Sequence, residues 1–188
     1  MGDPKKQRKK FDTPRFPWQF DTLEVELKVL GQYGLRNKRE MWRHKTLLSK
    51  YRGIGRSLLG MPVEERKIRE KQLLDRLNRI GILHDEAELD DVLDLSLDDI
   101  LGRRLQTIVF QKGLAKSIQQ SRQLIAHGHI AIDGRRVSSP SYLVLKDEEA
   151  KLAYAPKSPL TNPDHPLTKS TTILTERASP NEEGDGRE

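Results

Sequence analysis

The run AHGHIAIDGRRV, from Ala126 to Val137, stops a helix and starts a hairpin within twelve residues, and no other feature limits the fold as sharply. Gly128 suits a helix C-cap, because glycine enters the left-handed region without a Cβ clash. Asp133-Gly134 between alternating apolar residues is the strongest short hairpin signal. A two-residue turn there sets Ile130 opposite Val137 on the core side and Ala131 opposite Arg136 on the other. Before the cap, a helix from about Ser117 to His127 buries Ile118, Leu124 and Ile125. It leaves Lys116, Gln120, Gln123 and His127 along the opposite side, a polar hydrogen-bonding face. Upstream of that, Leu97, Leu101, Leu105 and Ile108 repeat at helical spacing, so a helix capped by Ser96 and Asp99 is expected to run to Gly113 with Arg103, Arg104 and Lys112 around it. SYLVL at 141–145 and AKLAYA at 150–155 read as short strands. An αα-hairpin followed by a β-hairpin and strands gives residues 97–155 an α+β module.

The N-terminal half has a different period. Asp21 with Glu24 reads as a capping box for a short helix through Leu23, Leu27 and Leu30, ended near Gly31 or Gly34. A second helix is expected from about Lys38 to Tyr51, interrupted by RGIGR at 52–56, where the glycines make either a bend or a close phosphate contact. Pro62 opens a third helix, with Leu73, Leu74, Leu77 and Ile80 as its apolar stripe to Gly81. Residues 21–96 therefore read as a helical domain ending in an acidic connector, 84–96. Residues 1–20 are an extended basic arm, since prolines block helix continuation among Lys5, Lys6, Arg8, Lys9 and Lys10 and the aromatics Phe11, Phe16, Trp18 and Phe20. The rival reading of the arm is a solubilising tail. Residues 156–188 lack an apolar period and read as a flexible tail.

Charge decides the class of partner. The formal net charge is +6, but it is segregated: residues 1–56 carry +9, residues 84–99 carry −8 and residues 100–136 carry +6. Charge spread for solubility alone would mix signs, whereas two basic blocks around an acidic one present two cationic surfaces to a polyanion. Nucleic acid is the partner class this indicates. The acidic block is expected to dock on protein, because RNA repels it. At 35% apolar and 33% charged residues, the chain is short of core formers, so part of it should not pack alone. No run is apolar enough for a membrane span, and the charged N-terminus does not suggest export, so a cytoplasmic protein without membrane association is expected.

The chemistry-bearing residues point to binding. With no cysteine, disulfides, Cys-ligated zinc and thiol nucleophiles are all excluded. His127 and His129 lie either side of a helix cap without a third ligand at metal spacing, so neither a metal nor a cofactor is expected. Neither histidine has a nucleophile or pocket that would make it a general base, so no catalytic residue is assigned. Arg103, Arg104, Lys112, Lys116, Ser117, Gln120, Arg122, Gln123, His127, His129, Arg135 and Arg136 are instead the RNA-contact candidates of the module. A guanidinium fork matches phosphate, while Gln and His reach sugar hydroxyls and base edges. In the N-terminal half the candidates are the arm cations with Arg36, Lys38, Arg39, Arg43, Lys50, Arg52 and Arg56.

The segment GLAKSIQQSRQLIAHGHIAIDGRRVSSPSYLV, residues 113–144, resembles the S-four RNA-binding module, in its Gly-Leu-Ala opening, its Arg-Gln-Leu-Ile run, His-Gly-His-Ile and the turn before Pro-Ser-Tyr. GDPKKQRKKFDTPRFPW and YGLRNKREMWR resemble the archaeal and eukaryotic branch of the ribosomal protein family that gives the module its name, so the likeness runs over roughly residues 2–160. The chain departs from the family in lacking the cysteine knuckle of bacterial members, in Ser121 where Ala is common, and in KDEEAKL where Gly-Asp is usual. The resemblance implies a structural constituent of the small ribosomal subunit that binds ribosomal RNA. It further implies early assembly on the five-prime domain, neighbouring small-subunit proteins, messenger RNA close by where it enters, and an influence on decoding accuracy. Two rivals remain: a free-standing RNA-binding regulator, and an RNA-modifying enzyme carrying the same module. The enzyme would need a separate catalytic domain, and no glycine-rich nucleotide fingerprint is present.

Overall fold

A computed structural model describes residue 2, residues 8–162 and residues 165–167. Lys5 and Lys6 of the arm, and the tail beyond Leu167, lie outside the described residues. Contacts divide the chain into two compact units, Met1–Arg103 and Arg104–Glu188. The described elements are eight helices, one short 3-10 turn and a three-stranded antiparallel sheet, an α+β chain. Among the described residues no helix is long and apolar enough to cross a membrane.

The first unit holds α1 (Phe20–Gln32), α2 (Lys38–Leu59), α3 (Val63–Ile80), α4 (Leu89–Asp94) and α5 (Leu97–Gly102). Helix α2 runs 22 residues straight through RGIGR, so the expected interruption is absent. The reason is packing: a Cβ at Gly55 would lie 3.2 Å from Leu93 Cδ2, so the glycine lets the α4 side chains come against α2. This contact also places the acidic connector, which docks Leu89 and Val92 as buried residues and keeps Asp90, Asp91 and Asp94 exposed. Pro62 and Gly81 bound α3 as expected, with Gly81 at φ 77°.

Helix α1 departs from its expectation twice. It starts at Phe20 after Gln19, with no side-chain cap from Asp21, and its Leu27 is exposed. The buried position is Glu26. Its carboxylate accepts from Trp42 Nε1 at 2.9 Å and pairs with Lys38 Nζ at 2.9 Å, which holds a charge under the helix that an apolar stripe would have filled. Burial alone would raise the Glu26 pKa, but the Trp42 and Lys38 hydrogen bonds and the Lys38 charge outweigh it and hold it below the ordinary value. Because the folded pKa is depressed, the stability it contributes is present above the unfolded pKa and is lost as pH falls through the folded one. Glu26→Ala is therefore expected to cost about 1–3 kcal/mol at neutral pH, by stripping the partner from a part-buried indole N–H. It should also flatten the acid limb of stability against pH, read from thermal melts of both proteins. An acid limb identical in the two would remove Glu26 as its source. Tyr33, at the C-cap of α1, is pushed up to about 12 by burial and by the Asp98 hydrogen bond and charge.

The Leu97–Ile108 repeat is not one helix. It breaks at Arg103-Arg104, where Arg104 turns extended, bridges Leu143, and lets the Leu105 N–H bond the Tyr142 carbonyl at 2.7 Å. Leu97 and Leu101 belong to the core of the first unit, around Tyr33, Leu35 and Met41, and Leu105 and Ile108 to the core of the second. The second unit contains α6 (Leu105–Gln111), α7 (Ile118–Ala126), β1 (Ile130–Ile132), β2 (Arg135–Arg136), α8 (Lys146–Glu149) and β3 (Leu152–Tyr154). The sheet order is β2-β1-β3, with Ala131 opposite Arg136 as the turn chemistry requires. Asp133 and Gly134 both take positive φ, 51° and 74°. Being central, β1 is buried along its whole length, so Ala131 is not on a solvent face. SYLVL forms no strand; only Leu143 makes its bridge, while Val144 enters the core. Order continues past Ala155: Ser158 and Leu160 are buried around a 3-10 turn at Pro159–Thr161.

Two of the three departures from the family pattern, Ser121 and KDEEAKL, have a place in this unit. Ser121 is fully buried and its Oγ donates to the Ser117 carbonyl at 3.2 Å, so the hydroxyl is satisfied within its own helix. The KDEE of KDEEAKL forms α8, where Glu148 accepts from the Tyr142 hydroxyl at 2.9 Å and from the Leu145 N–H at 3.1 Å.

Candidate RNA interface

In the first unit, helical spacing gathers Arg39, Arg43 and Lys50 on one exposed side of α2. The arm is tied along the edge of that side. Phe11 stacks on Trp42 with centroids 6.0 Å apart, and the Asp12 N–H donates to Thr46 Oγ1 at 2.9 Å. Trp42 and Thr46 follow Arg39 and Arg43 by three residues, so the docked arm delivers exposed Arg8, Lys9 and Lys10 beside the same row. Arg36 is exposed in the loop before α2, and Arg56, with Lys45, lies on a second flank. Three of the sequence candidates have structural partners instead. Lys38 pairs with Glu26, the Arg52 guanidinium donates to the Leu95 carbonyl at 2.5 Å, and Arg103 Nε donates to the Ile80 carbonyl at 2.8 Å, closing the end of α3.

In the second unit the polar side of α7 forms as its spacing predicts. Ser117 caps the helix by accepting from the Gln120 N–H at 3.2 Å, and the Gln120 side chain accepts from the Lys116 N–H at 2.7 Å. These two candidates are thereby fixed as much by local backbone as by any ligand. Gln123 and His127 are exposed, and the His127 and His129 rings stack with centroids 6.4 Å apart. His129 Nδ1 lies 2.9 Å from Ser158 Oγ, so the segment after Ala155 orients this ring. Arg136 crosses the helix cap, its Cδ 2.7 Å from where a Cβ at Gly128 would be, and the φ of 75° at that position favours glycine. The result is a groove of about 400 Å³ with His127, His129, Arg136 and Lys157 along it. Lys157 escaped the sequence reading because it sits in a stretch without periodicity; only the burial of Ser158 and Leu160 brings it there.

Arg104 does not join this surface. It is fully buried, so its guanidinium is withdrawn from an external polyanion. Arg122 is half-buried and donates to Gln106 Oε1 at 3.3 Å, while Gln106 donates to the Ile118 carbonyl at 3.0 Å, a bracing of α6 against α7. Lys112 is exposed and its ammonium meets the Glu149 carbonyl. Arg135 is exposed at the hairpin. Among the described residues no three His, Asp or Glu side chains gather as metal ligands would. What the surface can do chemically is present forked and point cations with amide and imidazole hydrogen-bonding groups between them, on rigid elements.

The S4 domain family matches residues 103–149, which begins at the boundary between the two units. The small ribosomal subunit protein uS4 of Ignicoccus hospitalis is 55% identical over 159 residues, covering 85% of this chain and 96% of that one. The protein of the same name from Hyperthermus butylicus is 57% identical over 159 residues, with 85% and 90% covered. That of Sulfurisphaera tokodaii is 53% identical over 170 residues, with 90% and 95% covered. These alignments are longer than either compact unit, so the likeness includes the helical half as well as the S4 domain. With more than half of the residues identical over nearly the whole of both chains, this chain belongs to the small ribosomal subunit protein uS4 family.

Proposed function

We propose that the chain is a structural constituent of the small ribosomal subunit that binds ribosomal RNA directly through two cationic surfaces. The observation that carries this reading is the α7–cap–hairpin surface, where His127, His129, Arg136 and Lys157 line one groove and Gln123 is exposed on the same helix. Rigid donors of that kind suit RNA recognised by shape and sugar-phosphate contacts. The arm and the α2 row add charge whose contribution is less dependent on sequence. The relatives' name supports the small subunit as the destination, and on this reading the protein sits in ribosomes of the cytoplasm. On this reading the protein binds early to the five-prime domain, sits among other small-subunit proteins near the path by which messenger RNA enters, and performs no catalytic step. Co-sedimentation tests it: the chain should travel with small subunits through a high-salt wash. Release at moderate salt would favour a free-standing regulator instead.

A further inference from the structure

Three aromatic side chains within five residues face solvent where the arm meets α1. Phe16, Trp18 and Phe20 are 64%, 87% and 76% exposed. Phe11 differs from them: it is half-buried on Trp42 and serves as the arm's anchor, so burial accounts for it. Burial does not account for the other three. The turn that carries Trp18 is closed by the Gln19 N–H on the Phe16 carbonyl at 3.4 Å, and α1 follows directly with the Leu23 N–H on the Gln19 carbonyl at 3.0 Å. The rings are thus presented from a defined turn and the first turn of a helix.

Charge selects the occupant. Arg15 lies over the Phe16 ring at 5.4 Å and Lys9 over the Phe11 ring at 4.8 Å. Arg8, Lys9, Lys10 and Arg15 are all exposed, and Asp12 is the single acid between residues 8 and 20. A partner protein would have to bring acidic groups around an apolar centre to match this surface. Unpaired RNA carries both complements in each nucleotide, a flat π face and a phosphate. We propose that Phe16, Trp18 and Phe20 form a stacking platform for unpaired RNA bases, flanked by Arg15 and the arm cations on the phosphates. The inference rests on the RNA-binding reading above and adds to it a preference for unpaired bases over duplex.

Trp18 and Trp42 are the two tryptophans of the chain, so emission reports on the platform directly. The full chain is titrated with a short oligoadenylate, with an adenine-uracil duplex of the same length, and with small-subunit RNA. The oligoadenylate should quench emission and the duplex should not. Trp18→Leu should lower affinity for the oligoadenylate about 5- to 100-fold, the loss of one stacked base, and Trp18→Phe should restore most of it. The salt slope should stay unchanged, because no phosphate contact is removed. Thermal melts of both variants should match the parent, since the side chain is exposed. If small-subunit RNA binds while Trp18→Leu keeps full affinity for the oligoadenylate, the platform is overturned and the broader reading stands. If small-subunit RNA does not bind the parent at all, the broader reading fails and takes the platform with it. Emission that is indifferent to RNA and shifts only with small-subunit proteins gives the patch to a protein partner and also overturns the proposal.

Discussion

Replacing Lys5, Lys6, Lys9 and Lys10 with Ala is expected to flatten the salt dependence of RNA binding by up to about three units of slope, because each lost phosphate contact removes roughly 0.7–0.9. Specific and unrelated RNA should be affected alike, since lysines in an arm act as point charges. A variant of the other surface, Gln123→Ala with His127→Ala and Arg136→Ala, is expected to behave differently. Its three residues are exposed or groove-lining and held by a capped helix and a hairpin. Removing them should lower discrimination between ribosomal and unrelated RNA by at least about tenfold, the loss of one hydrogen bond to a charged group worth about 1.5–3 kcal/mol. Only Arg136 among them carries a fixed charge, so the slope should fall by about one unit at most. Arg104 and Arg122 do not belong in such a variant: one is buried and the other braces Gln106, so their replacement would report on folding. Competition binding across a salt series yields both quantities for each variant. Loss of discrimination in the arm variant, with discrimination kept in the module variant, would reverse the roles assigned to the two surfaces.

The parts of this molecule that the sequence made legible are those decided within a few residues. The Asp133-Gly134 turn sets its own register, and Ala131 meets Arg136 because turn geometry leaves no other pairing. Gly81 and Gly128 end their helices at positive φ for an equally local reason. What escaped was decided at a distance. Helix α2 continues through Gly53 and Gly55, and at Gly55 the side chain of Leu93, nearly forty residues on, comes within 3.2 Å of where a Cβ would be. The Leu97–Ile108 repeat looks continuous, yet its two halves serve different cores. The cationic candidates divide for the same reason. Residue type marks Arg39, Arg52 and Arg104 as equals, but one is exposed, one bonds the Leu95 carbonyl and one is buried, and those differences are set by which backbone passes nearby. Charge blocks thus identify the class of partner, and packing decides which charges are available to it.

Leu160→Ala is expected to destabilise the second unit by about 2–5 kcal/mol, even though its surroundings read from composition as a flexible tail. Leu160 is 5% exposed and belongs to the cluster built on Leu105, Ile125 and Ile130. The 3-10 turn that presents it is held on both sides: the Leu160 N–H donates to Ser158 Oγ at 3.2 Å, and Thr161 Oγ1 donates to the Ala155 carbonyl at 3.0 Å. A two-state domain of this size shifts its melting temperature by about 4–8 °C for each kcal/mol, so the change should be plain in a thermal scan. Ending the chain after Ala155 should cost at least as much, since it removes Leu160 and also the Ser158 hydroxyl beside His129. The two variants separate packing from function. Leu160→Ala retains Ser158, so at a temperature where it is folded it should bind RNA nearly as the parent does. The truncated chain releases the His129 ring and loses Lys157 from the groove, and should bind more weakly when equally folded. A melting temperature unchanged by Leu160→Ala would mean that the 3-10 turn is not part of the core, and the orientation of His129 would then need another source.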